Sequence, residues 1–280
     1  MGWKLGVLSA LTLPAALVAG GFWWFSDAPD TEPAEPPVAG IPVPPFPPRI
    51  ADDPSYEACL GMLPEDPQAA IAFVLQWASS SQPNGRAAAR HCQALALIAA
   101  GQAAEGATLL ETLADDRAIS DRARALLLDQ AADAWFQMRS YEEAYRATTR
   151  ALMLAPDDAE VLVRHAQAAS HVGRENDAIT DLTRVLSATP DRLDALLARA
   201  MAWRRLDQLE RAAGDIERAA GVAPTDPEVL LERGIQRQRR GDLAGAREDW
   251  QQVVTLEPDS EAADLAEQNL ALLDAGPRQQ

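Results

Sequence analysis

Between residues 125 and 260 apolar positions return at spacings of three and four, the period of helices that bury one face. Residues 159–173, AEVLVRHAQAASHVG, read as one such helix closed by Gly173, and 174–190, RENDAITDLTRVLSATP, as a second closed by Pro190. Ala178 sits where adjacent helices must approach closely, and Leu182 and Val185 follow it at spacings of four and three to cover the core. This layout repeats. Pro156, Pro190, Pro224 and Pro258 recur at a constant interval of thirty-four, as do Ala144, Ala178, Ala212 and Ala246, while Arg139, Gly173, Asp207 and Gly241 mark the turn within each pair. The period divides the region into four helical pairs: 125–158, 159–192, 193–226 and 227–260.

The pattern continues less regularly on both sides. Residues 86–116 read as a further pair with Gly101 in its turn, but Gly101 precedes Arg139 by four positions more than one period, which places an insertion around Asp116 to Asp121. SYEACLGML and PEDPQAAIAFVLQWASS form a still more divergent first pair, so 55–124 holds two irregular pairs ahead of the regular ones. After Pro258 one helix remains, within a cap and tail over 261–280; Leu265, Leu270 and Leu273 are expected to cover the open end of the stack.

The amino terminus follows a different pattern. Residues 5–25, LGVLSALTLPAALVAGGFWWF, carry no charge and approach the roughly 20 residues a helix needs to span a bilayer. They predict a transmembrane signal anchor over 1–26, with a cleaved signal peptide as the alternative because Ala16, Ala19 and Gly20 suit peptidase recognition. Lys4 before the span and acids after it place the remainder outside the cytoplasm. Ten prolines between 27 and 54 then predict an extended linker.

A formal charge of −17 argues against nucleic acid as a partner. Three histidines and two cysteines leave little material for a metal site, and no HExxH, GxSxG or GxxxxGK[ST] spacing occurs, so no enzyme activity and no cofactor is expected. His91 and His165 are expected at the surface or in a groove rather than as ligands. Cys59 and Cys92, separated by almost one repeat period, fall at comparable places on neighbouring pairs; they predict a disulfide in an oxidising compartment, with two buried thiols as the alternative.

The repeating unit resembles the tetratricopeptide repeat, TPR. Small residues stand eighth in each unit (Ala132, Ala166, Ala200 and Gly234) and twentieth (the four periodic alanines), and proline stands thirty-second every time. Trp135 and Trp203 supply the aromatic eleventh position in two units, where Ala169 and Arg237 depart from the pattern in the others. The resemblance implies an all-α, alpha-alpha superhelical solenoid whose groove is lined by the second, fifth, ninth, twelfth and thirteenth positions. Those positions give the candidate partner-binding residues Asp129, Asp133, Phe136, Gln167, His171, Met201, Arg204, Arg205, Ile235 and Arg239. The lysine and asparagine clamp that grips a carboxylate in some relatives has no counterpart here.

The candidates suggest an acidic front to the groove at Asp129 and Asp133. A basic rear at Arg199, Arg204, Arg205, Arg233, Arg237, Arg239 and Arg240 would suit an acidic peptide. The resemblance and the anchor together imply a protein-binding scaffold or chaperone-like adaptor in the bacterial cell envelope: single-pass in the inner membrane with a periplasmic domain, or soluble in the periplasm after signal cleavage. A self-associating structural protein of the envelope is the alternative.

Overall fold

The computed structural model describes residues 49–80 and 83–275, which belong to a compact unit spanning Val38–Gln280. Thirteen helices occupy the described residues: α1 Pro54–Met62, α2 Pro67–Ser80, α3 Pro83–Ala99, α4 Ala103–Ala114, α5 Asp121–Gln137, α6 Tyr141–Leu154, α7 Ala159–His171, α8 Glu175–Ala188, α9 Leu193–Arg205, α10 Leu209–Val222, α11 Pro227–Arg239, α12 Leu243–Leu256 and α13 Glu261–Ala275. Each packs against the next in sequence, and α5, α7, α9, α11 and α13 also touch one another in turn. The first helices of the pairs thus form one layer, and each second helix packs between two successive first helices. This is an all-α solenoid of paired antiparallel helices.

Local chemistry sets the joints. From α3 onward, each turn within a pair places one residue in the left-handed region: Gly101, Arg139, Gly173, Asp207 and Gly241 have φ between 58° and 86°. The residue after each donates its N–H five residues back, as Ser140 does to Trp135 O at 2.9 Å, closing the helix end. Between pairs, the periodic prolines force the preceding residue out of the helical region, as at Ala155 (φ −135°, ψ 75°). Asp158 and Asp226 then cap α7 and α11 by accepting from backbone N–H groups of the first turn.

Burial follows the periodic small residues. Ala144, Ala178, Ala212 and Ala246 are fully buried at the crossing within each pair. Leu182, Val185, Leu196 and Ile216 join neighbouring pairs into a continuous core, and at the amino end Tyr56, Val74 and Trp77 pack around the bridge between Cys59 and Cys92. The four inserted residues lengthen α5, which runs 17 residues where α7, α9 and α11 run 13.

Several expectations need correction. No helix among the described residues is long and apolar enough to cross a membrane, the longest having 17 residues against the roughly 20 required. The span expected over residues 5–25 lies outside the described residues. The single-pass anchor, the inner-membrane placement and the membrane as a partner thus find no support in the described helices. The expected linker also ends early: Arg49 pairs with Glu57 at 2.6 Å, Ile50 packs on the core and Pro54 opens α1. His91 and His165 are buried rather than at the surface.

Candidate partner-binding groove

The first helices present their fifth and ninth positions side by side, because a helix returns to the same face every three to four residues. On α9 these are Leu197 and Met201, on α11 Leu231 and Ile235, and on α13 the equivalent of the fifth is Leu265. Together with Arg204, Glu228, Glu232, Glu261 and Ala262 they line an open cavity of about 360 Å³. Met201 is 36% exposed and Leu265 43%, although both are large and apolar. The structure brings three of the candidate residues, Met201, Arg204 and Ile235, together around this cavity. Leu265 was expected to close the end of the stack; only Leu270 and Leu273 pack there, and Leu265 faces the groove. A signal for this exists in the chain, since α13 keeps the repeat register as the first helix of a fifth unit.

The charged candidates occupy defined pairs. Arg164 donates to Asp129 at 2.8 Å and to Asp133 at 2.6 Å, so the acidic front is closed by a guanidinium from the next unit. Burial pushes the Asp129 carboxyl up and Arg164 pulls against it. Burial works equally against the Arg164 charge, but the two aspartates outweigh it and hold that guanidinium above its ordinary range. At the rear, Arg204 grips buried Glu232 through two bonds, at 2.7 and 3.1 Å. Arg199 holds Asp215 at 2.8 and 2.7 Å, Arg233 holds Asp249 at 3.0 and 2.6 Å, and Arg237 also reaches Asp249. Arg240 lies 3.4 Å from Glu210. The basic rear expected to receive an acidic peptide is thus largely engaged within the fold, which corrects that reading.

A periodic feature explains much of this. Asp181, Asp215 and Asp249 recur at the repeat interval, and each meets the basic residue sixteen positions earlier: His165, Arg199 and Arg233. His165 Nδ1 donates to Asp181 at 2.5 Å and its ring stacks on Tyr145. In the first regular unit both places are alanine, Ala131 and Ala147, and both are fully buried. The acid period was visible in the sequence; its partners were not, because they lie on the opposite helix of the pair.

The remaining candidates form an edge at the carboxyl ends of the first helices. His171 stacks on Tyr141 with centroids 3.9 Å apart, and Phe136 meets both edge-on. Burial, with Arg205 and Arg139 nearby, lowers the His171 pKa. Arg205 donates to Ser170 O at 2.9 Å, Arg239 lies 4.0 Å from Asp207, and Gln167 is half-buried on α7. A cavity of about 630 Å³ lies between Arg49, Ile50 and the amino ends of α5 and α7, but its carboxylates Asp129, Asp158 and Glu160 are already held by Arg164, backbone N–H groups and Arg192.

Among the described residues no group of three His, Cys, Asp or Glu side chains could hold a metal ion. The buried histidines are used structurally: His91 accepts the Tyr56 O–H at Nδ1 and donates Nε2–H to Gln130 Oε1 at 2.6 Å, tying α1, α3 and α5 together.

No family model matches the chain, and no curated protein does. Solved structures do resemble it. A tetratricopeptide repeat protein from Parabacteroides merdae ATCC 43184 aligns with a TM-score of 0.58 at 17% identity, covering 68% of this chain and 77% of that one. YrrB, described as a TPR protein with an unusual peptide-binding site, aligns at 0.54 and 13% identity over 70% of this chain and 97% of its own. MamA from AMB-1 aligns at 0.50 and 18% identity over 70% and 100%. At these identities the likeness speaks for the fold alone: the chain is a TPR-type helical repeat module.

Proposed function

We propose that this chain is a non-catalytic scaffold or adaptor that holds a segment of a partner protein in the groove crossed by α9, α11 and α13. The observation that carries this reading is the contiguous apolar lining of the open cavity, to which three helices contribute Leu197, Met201, Leu231, Ile235 and Leu265. YrrB, a fold relative, is described as having a peptide-binding site, which supports the use of this architecture for such a segment. The disulfide between Cys59 and Cys92 fits work in an oxidising compartment.

Self-association is the second reading. It is favoured by α13, where Leu265 and Leu272 are 43% and 64% exposed at the end of the stack. Placing a photo-crosslinking amino acid at Met201, and as a control at exposed Met153 on α6, tests both. A partner captured from position 201 and not from 153 supports the scaffold; capture of a second copy from 201 supports self-association. Absence of any product specific to 201 contradicts the groove.

A further inference from the structure

The groove is not electrically neutral, and its imbalance identifies the kind of segment it takes. Arg204, the guanidinium in its lining, is held through two bonds by buried Glu232. The other two carboxylates in the lining, Glu228 on α11 and Glu261 on α13, make no ion pair and no side-chain hydrogen bond among the described residues. Both stand in the first turn of their helices, at the exposed lip of the cavity. An arriving anion would meet a neutralised arginine, whereas an arriving cation finds two available carboxylates beside an apolar floor. The formal charge of −17 adds long-range attraction of the same sign.

We propose that the occupant is a basic amphipathic segment of a partner protein, seating apolar side chains on Met201, Leu231, Ile235 and Leu265 and Lys or Arg side chains on Glu228 and Glu261. This rests on the groove reading above and reverses the acidic ligand that the run of arginines suggested. The three first helices span two interhelical steps of about 8–10 Å each, so a helical segment of roughly 12 residues at about 1.5 Å per residue covers the site.

The test uses the full chain and two synthetic helical peptides of equal length and identical leucine register, one with lysine at every polar position and one with glutamate. Fluorescence anisotropy should show binding of the lysine peptide and at least about tenfold weaker binding of the glutamate peptide. Glu228→Gln with Glu261→Gln should weaken the lysine peptide about fivefold and flatten its salt dependence, as loss of two exposed ion pairs implies. Glu142→Gln with Glu217→Gln, two exposed acids on α6 and α10, should change neither, which separates the site from general attraction to an acidic protein.

Equal affinity for both peptides, or an unchanged affinity in the Glu228 and Glu261 variant, overturns the inference while leaving the groove in place. If Met201→Ala with Leu265→Ala changes binding of neither peptide, the groove reading falls and the inference with it. If that variant instead dissolves a self-associated species in sedimentation, the occupant is a second copy of this chain, and the basic segment is overturned while the groove stands.

Discussion

Gly234 has no room for a methyl group, because a Cβ there would fall inside the indole of fully buried Trp250. The eighth position is alanine in the other regular units, so pattern alone would call Gly234→Ala harmless. Packing says otherwise: overfilling a rigid core costs about 1–3 kcal/mol, and chemical denaturation of the variant should show a loss in that range. Arg139 and Asp207 give the opposite case. Both hold φ near 60° at turns where Gly173 and Gly241 serve elsewhere. Arg139→Gly and Asp207→Gly should each stabilise by about 1 kcal/mol, and Gly173→Ala, with open space around it, should destabilise by a similar amount.

His91 sets a pH dependence on its own, since burial lowers its pKa to about 4 from 6.5. Between those values the unfolded chain binds a proton that the folded chain refuses. The contribution is present above pH 6.5 and is lost as pH falls toward 4, on the order of 3 kcal/mol in all. Urea unfolding at descending pH should show this slope, and His91→Gln should remove much of it.

Within pairs of helices, charge pairing adds to the apolar packing. Arg199 and Asp215 cross from α9 to α10, and a buried charge left alone is expensive. Arg199→Ala alone should destabilise by about 3 kcal/mol, yet the double change with Asp215→Ala should cost less than that single, because Ala131 and Ala147 already fill the same places in the first regular unit. A double-mutant cycle decides the matter; a double variant worse than either single would contradict the pair as described. At the amino end, α1 makes a short element whose attachment depends on the bridge from Cys59 to Cys92. Closing a loop of 33 residues contributes about 3–4 kcal/mol on the chain-entropy account, so reduction should lower stability by that amount. Hydrogen exchange should quicken first in α1 and α2, and remain unchanged in α11.

The thirteen described helices form a stack whose parts were unequally visible in the residues. Prolines, small residues and turn positions at a strict period exposed the pairs, because each marks a local backbone requirement that recurs with every unit. The groove was half visible. Met201, Arg204 and Ile235 could be placed by position, whereas Leu265 was hidden by the incompleteness of its unit. Charge pairing was hidden more deeply: Arg164 reaches Asp129, 35 residues away, and Arg204 reaches Glu232, 28 residues away, distances that only the stacking geometry brings together. Ending the chain at Ser260 would uncover Leu230, Trp250 and Val253, so that variant should lose exchange protection in α11 and α12 while α5 and α6 keep theirs.

If the groove crossed by α9, α11 and α13 receives a partner's apolar side chains, its lining must respond when a peptide binds. Methionine methyl groups report on it directly, because Met201 lies in the groove and Met153, 72% exposed on α6, lies away from it. In a spectrum of methyl-labelled protein titrated with the lysine peptide, the Met201 signal should shift saturably while Met153, Met62 and Met138 hold still. A saturating shift at Met153, or a Met201 signal that never moves while the peptide binds, would contradict the groove.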